Sequence, residues 1–203
     1  MKKIVPVFVL LAVLFTACSD KSESEKVEEP SFDMSVYDAF LDNLRVHCGQ
    51  AFAGSLTLEP PGDTMLEGDE LLIVHFRECE DDVLRVPFHI QRMDGTWDRS
   101  RTWNFFRRDQ GLEIRHDHRK PDGTEDDVTW YGGPSHGEPG TNQMEFISHE
   151  RTAETGMYRG WRIIIEPNVH YTYGTFRDGI WSWRIDFDLT TPVETPPAPW
   201  GHE

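Results

Sequence analysis

Apolar and polar positions divide the chain into three stretches. Residues 4–15 form an unbroken apolar run behind Lys2 and Lys3. Residues 19–30 (SDKSESEKVEEP) are acidic and almost free of aliphatic side chains. Ordered periodicity begins only after that. Tyr37, Phe40, Leu41, Leu44 and Cys48 recur at helical spacing, with Asp33 or Ser35 as the cap and Gly49 as the stop. Beyond Gly49 the pattern becomes short, aromatic-rich runs bounded by Gly, Pro and Asp. These predict strands at 51–58, 70–78, 83–91, 100–108, 112–119, 124–131, 143–149, 161–166, 169–177 and 180–189. One helix followed by ten such runs predicts an all-β fold. The expected architecture is an antiparallel, lipocalin-like barrel of about eight to ten strands with the N-terminal helix across one end; a β-sandwich is the alternative.

Two turns set registers and therefore faces. Lys120-Pro121-Asp122-Gly123-Thr124 suits a type I turn with a glycine bulge, pairing Lys120 with Thr124. His116 and His118 then share an interior stripe with Leu112 and Ile114. Asp126, Val128 and Trp130 face them from the partner strand, and Glu113, Arg115, Asp117 and Arg119 point outward. Asp178-Gly179 suits a two-residue turn pairing Arg177 with Ile180. That register places Trp181, Trp183, Ile185, Phe187 and Leu189 on one face with His170, Thr172, Gly174 and Phe176, and sets Gly174 against Trp183. The glycine-rich region 132–140 reads as a long loop. The proline-rich end, 190–203 (TTPVETPPAPWGHE), cannot be a central strand because proline lacks the ladder donor. It reads as an extended tail, held by Trp200 or free.

The first stretch changes the picture of where the chain resides. A basic start, an apolar run too short to span a bilayer and Phe15-Thr16-Ala17-Cys18 together read as a lipoprotein signal peptide over residues 1–17, with Cys18 acylated after cleavage. Residues 18–30 are then a flexible acidic tether, 31–189 the folded domain and 190–203 the tail. The expected location is the bacterial cell envelope, lipid-anchored, on the periplasmic face of the outer membrane, since Ser19 follows the cysteine. Loss of Lys2 and Lys3 takes the formal net charge from −16 to −18. Such acidity argues against nucleic acid and against electrostatic docking on anionic lipid, leaving the acyl chains as the membrane attachment. In an oxidising compartment the two other cysteines, Cys48 and Cys79, are expected to form a disulfide. It would close a loop of roughly 30 residues and stabilise by roughly 3–4 kcal/mol on the chain-entropy model.

Candidate chemistry is sparse. His116 and His118, at i and i+2 on a strand, project to one side as imidazole metal ligands do. Asp126 opposite His118 is a third ligand or an orienting carboxylate, and His170 a conceivable fourth. Such a set would suit Zn, or Fe if positions stay open. Against it stands the more economical reading of a satisfied polar patch at a barrel mouth. Glu80-Asp81-Asp82 and Glu125-Asp126-Asp127 lack calcium-loop spacing, and no serine elbow or spare reactive cysteine is present. No catalytic residue is nominated. The seven Trp and twelve Phe are more informative as a group. Trp103, Trp130, His170, Trp181 and Trp183 are the candidate lining of a ligand pocket, if the barrel is hollow rather than filled.

From Cys48 onward the chain resembles a family of uncharacterised bacterial secreted proteins and lipoproteins. The resemblance rests on Cys48-Gly49-Gln50-Ala51-Phe52-Ala53-Gly54, Arg99-Ser100-Arg101-Thr102-Trp103, the run HDHRKPDGTEDDVTWYGG from His116 to Gly133, and Phe187-Asp188-Leu189-Thr190 with the later Pro-Val and Pro-Trp-Gly. It implies an envelope protein and transfers no activity. The leading expectation is a non-enzymatic module holding a small apolar or amphipathic ligand. A metal-binding protein or metal-dependent enzyme, and a structural or assembly factor of the envelope, are the alternatives.

Overall fold

The computed structural model describes residues 32–66 and 68–203; the expected signal peptide, Cys18 and the expected tether lie outside them. The element order is α1 (Ser35–Arg45), β1 (Ala51–Leu58), β2 (Leu71–His75), β3 (Glu78–Cys79), β4 (Val83–Gln91), β5 (Trp97–Arg108), β6 (Gly111–His118), β7 (Tyr131–His136), β8 (Gln143–Ile147), α2 (His149–Thr155), β9 (Arg159–Glu166), β10 (His170–Arg177) and β11 (Ile180–Asp188). The strand order is β2-β1-β11-β10-β9-β8-β7-β6-β5-β4-β3, and β2 also pairs with β4. That second pairing closes ten strands into an antiparallel barrel, with β3 as an added strand on β4. The expected all-β barrel is therefore the fold, and the sandwich is not.

The interior follows from alternation. Leu84, Val86, Phe88 and Ile90 point inward from β4, Trp103 and Phe105 from β5, Ile114 from β6, Ile163 and Ile165 from β9, and Ile185 and Phe187 from β11. One end is plugged by α1, whose Phe40, Leu41 and Leu44 are fully buried. Asp33 Oδ1 accepts from Ser35 N at the helix start, and Gly49 leaves the following turn with φ +81°. Polar contacts fix the plug to the barrel rim. Arg107 makes a bidentate pair with Asp38 at 2.6 and 3.0 Å, and Asn43 Nδ2 donates to Thr141 O at 2.9 Å. The Cys48–Cys79 disulfide, Cα–Cα 6.2 Å, ties the turn after α1 to β3.

Three departures from the expected pattern have clear causes. The run 70–78 breaks into β2 and β3 at residues 76–77, where the register against β4 slips between the Val74–Phe88 and Glu78–Arg85 pairs. The predicted strand 124–131 does not form. Its start keeps the expected register, with Arg119 bridging Glu125 and Asp126 N donating to His118 O at 2.9 Å. The Thr129 hydroxyl then accepts from His118 N in place of a backbone carbonyl, and Trp130 turns the chain with φ +55°. Val128 and Trp130 are consequently exposed.

Residues 132–140, expected as a loop, instead begin as part of β7. A Cβ on Gly132 would lie 1.9 Å from Ile114 O, and one on Gly133 1.8 Å from Ile147 O. Glycine here is what lets β6, β7 and β8 approach.

The tail is ordered and crosses the outside of the barrel. Val193 N donates to Ala51 O at 2.8 Å, and Trp200 N to Arg99 O at 3.2 Å. Arg77 donates to His202 O, and His202 Nε2 meets Asp117 Oδ2 at 2.9 Å. Asp117 is outward-facing yet buried, and also binds Arg119 Nε at 2.8 Å. Ile73, His75 and His89 likewise point outward from β2 and β4 yet are buried. The tail is the layer that covers this face. Burial holds His89 neutral, with its pKa lowered to about 3, and His75 with its pKa lowered to about 4. Neither ring nitrogen of His89 has a hydrogen-bond partner.

Gly133→Ala should destabilise the barrel by about 3 kcal/mol or more through overpacking, read as a lower urea midpoint. For His75 and His89 the folded pKa lies below the unfolded value of about 6.5. Their contribution is complete above that value and is lost as pH falls towards 4 and then 3, at up to about 1.4 kcal/mol per pH unit for each. Urea midpoints should therefore fall between neutral pH and pH about 4.5, and His89→Leu should flatten that dependence while leaving neutral-pH stability equal or higher.

Candidate functional site

The end opposite α1 is open. There, between the loop joining β1 to β2 and the ends of β5, β6, β9, β10 and β11, lies a cavity of about 230 Å³. Its floor is aromatic. Trp103 stacks on Tyr173 with ring centroids 3.7 Å apart and on Phe88 at 5.3 Å. Trp161 and Trp183 complete the wall, and the Trp183 indole N–H has no hydrogen-bond partner. Below this floor the barrel is filled: Tyr171 packs against Phe187 at a tilt, and Tyr171, Phe76 and Phe52 pack edge to face in turn down to the plug. Among the described residues the interior is thus packed at the helix end, and the cavity lies at the mouth.

The wall also carries the two histidines. His116 is fully buried, stacked on Tyr131 at 4.7 Å. Its Nδ1 lies 3.1 Å from Tyr131 O, so this nitrogen carries the proton; Nε2 then accepts from the Tyr173 hydroxyl at 2.6 Å. His118 Nε2 lies 3.0 Å from the Tyr131 hydroxyl. Burial lowers the His116 pKa to about 3 and the His118 pKa to about 4, so both are neutral at physiological pH. Burial also raises the Tyr173 hydroxyl well above its ordinary value, keeping it a donor. These four side chains form a satisfied, uncharged polar patch inside an aromatic wall.

That arrangement departs from the metal set read from sequence. His116 has both nitrogens committed. Asp126 faces His118 along the backbone, yet its Oδ1 accepts from Asp127 N at 2.6 Å. His170 starts β10 at the far end of the barrel, beside Glu166. Among the described residues no group of three or more His, Cys, Asp or Glu side chains converges as a metal would require; neither Zn nor Fe finds a donor set here.

The expected pocket lining divides in the same way. Trp103 and Trp183 line the cavity. Trp130 lies outside, its Nε1 donating to Glu125 Oε1 at 2.9 Å. Trp181 is on the outer face, between Arg162 and Arg184 and over Gly174. The cause is a bulge: the register runs Phe176–Trp181, then Thr175–Trp183. Ser182 is the extra residue, so Trp181 and Trp183 fall on opposite faces despite their i, i+2 spacing. Tyr171, Tyr173 and Thr175 consequently occupy the inward positions expected for Thr172, Gly174 and Phe176.

Sequence reasoning missed Arg101, Arg151 and Arg177, all of which border the cavity. Arg101 is neutralised by Asp98 at 2.9 Å. Arg151, on α2, lies over the Tyr131 and Trp161 rings at 5.1 and 5.5 Å. The sequence signal for Arg177 was an i, i+2 alternation ending in Arg at the open end of β10; Arg101 on β5 and Arg151 on α2 carried no such signal.

Tyr173→Phe should remove the donor to His116 Nε2 and leave a buried acceptor unsatisfied, costing about 1–3 kcal/mol, measurable as a lower thermal midpoint with unchanged far-ultraviolet circular dichroism. Comparison with known proteins adds no relative to these observations: no protein-family model, curated protein or solved structure matches the chain.

Proposed function

We propose that this protein is a non-enzymatic envelope lipoprotein, tethered through acylated Cys18, whose barrel mouth holds a small amphipathic ligand. The observation that carries the reading is the cavity itself: about 230 Å³ of aromatic-walled space at the open end of a barrel whose other end is closed by α1. A liquid water occupies about 30 Å³, so the space suits one aromatic ring or a short aliphatic group. It is too small for a long acyl chain. Trp103, Trp161 and Tyr173 supply flat apolar surface, and the neutral His116–Tyr173 and His118–Tyr131 pairs supply fixed polar points without a charge. The low histidine pKa values and their committed nitrogens speak for a binding wall rather than acid–base catalysis near neutral pH.

Native mass spectrometry of the purified chain should show a bound small molecule, and aromatic probes should quench tryptophan fluorescence. Thr175→Trp, which fills the mouth, should abolish that quenching, whereas Trp181→Ala on the outer face should leave the affinity within about twofold. No bound mass together with no probe binding would overturn the reading.

A further inference from the structure

Every described arginine and lysine has a carboxylate within 4.0 Å except three: Arg151, Arg159 and Arg177. These three are neighbours at the barrel mouth. Arg159 and Arg177 are directly opposite each other on β9 and β10, on the inward parity continued from Trp161 and Thr175. Arg151 reaches the same place from α2, and with Arg159 it borders a smaller recess of about 60 Å³ beside the main cavity. None of the three guanidiniums donates a hydrogen bond to another described residue. Like charges directly opposite on adjacent strands are destabilising. In a chain with formal charge −16, carboxylates to relieve them were available in number.

The surroundings do not supply that relief. Glu154 is the acidic group whose field reaches Arg159, from beyond ion-pair distance, while burial and the charges of Arg177 and Arg151 lower the Arg159 pKa. Asp63, the one carboxylate among the described residues that line the main cavity, is engaged by its own loop, accepting from Met65 N at 2.9 Å. Asp178 next to Arg177 accepts from Tyr158 N at 2.8 Å.

We propose that Arg151, Arg159 and Arg177 are the anion-recognition rim of the mouth, so that the ligand is a compact carboxylate or phosphate whose apolar body enters the aromatic cavity. The inference rests on the reading of the mouth as a ligand site and adds the charge of the ligand's head. Planar guanidiniums offer paired N–H donors that match carboxylate and phosphate oxygens, and an anion between Arg159 and Arg177 converts a cross-strand repulsion into two attractions. The Thr175–Ser182 hydroxyl pair, 2.8 Å apart, lies between rim and cavity as a neutral polar step.

The test uses the purified full chain, titrated calorimetrically at neutral pH and low salt with phenylacetate, phenylacetamide, phenyl phosphate and inorganic phosphate. Phenylacetate should bind at least about tenfold more tightly than phenylacetamide, as charge-assisted hydrogen bonds imply. The preference should collapse in Arg159→Gln/Arg177→Gln and shrink in Arg151→Gln. Because the double variant relieves a like-charge pair, its thermal midpoint should be equal or higher, which separates lost recognition from lost folding.

Phenylacetamide binding as tightly as phenylacetate, or an undiminished preference in the double variant, would overturn the arginine assignment and leave the cavity reading standing. Inorganic phosphate binding as tightly as phenyl phosphate would also overturn it, since the rim would then hold a free anion with no use for the cavity. Absence of binding by all four would overturn both.

Discussion

β2 hydrogen-bonds to β1 on one side and to β4 on the other, and this double pairing makes a cylinder from what would otherwise be an open, eleven-stranded ribbon. Closure removes the exposed edges on which a long sheet would associate. It also gives every strand an inside and an outside. Only a closed sheet gives α1 something to plug, and only a plugged cylinder has a mouth. The Cys48–Cys79 link acts at the same place, holding the turn after α1 to the strand that extends β4.

A barrel of this size has an outer face as well as a core, and here part of that face is buried too. The tail lies across β1, β2, β4, β5 and β6, anchored at Ala51, Arg99, Arg77 and Asp117. It contains four prolines, which suits a strap: proline stiffens the extended chain and leaves fewer donors to satisfy. The consequence is a second, thinner layer in which His75, His89 and Asp117 are removed from water. Two of these are neutral because burial forbids their charge. The third stays paired with Arg119 and the penultimate residue of the chain.

The mouth joins two kinds of surface. Its wall is aromatic and uncharged, with histidines kept neutral and tied to tyrosine hydroxyls. Its rim carries the three guanidiniums that no carboxylate among the described residues pairs. Elsewhere on the molecule arginine is neutralised as a matter of course: Arg162 by Glu145, Arg184 by Asp186, Arg107 by Asp38. The contrast at the rim, together with its adjacency to the cavity, is what gives the site a chemical direction.

Local pattern determined much of this. Alternation over 51–58 and 83–91 placed β1 and β4 to the residue, the helical spacing of Phe40, Leu41 and Leu44 placed α1, and the type I turn at Pro121 placed the start of its hairpin. The inward course of His116 and His118 and the Cys48–Cys79 pairing were legible for the same reason: each follows from a period of two or a count of cysteines. Tertiary structure decided wherever one residue breaks the count. Ser182 bulges and reverses the expected faces of β10 and Trp181; Trp130 takes positive φ where a strand was expected to continue; Gly132 and Gly133 build a strand from what reads as a loop, because two neighbouring backbones need the space a Cβ would fill. The filled lower barrel, the strapping of the tail and the meeting of Arg151 with Arg159 and Arg177 are contacts between residues distant in sequence. No local period encodes such contacts, because they exist only once the sheet has closed.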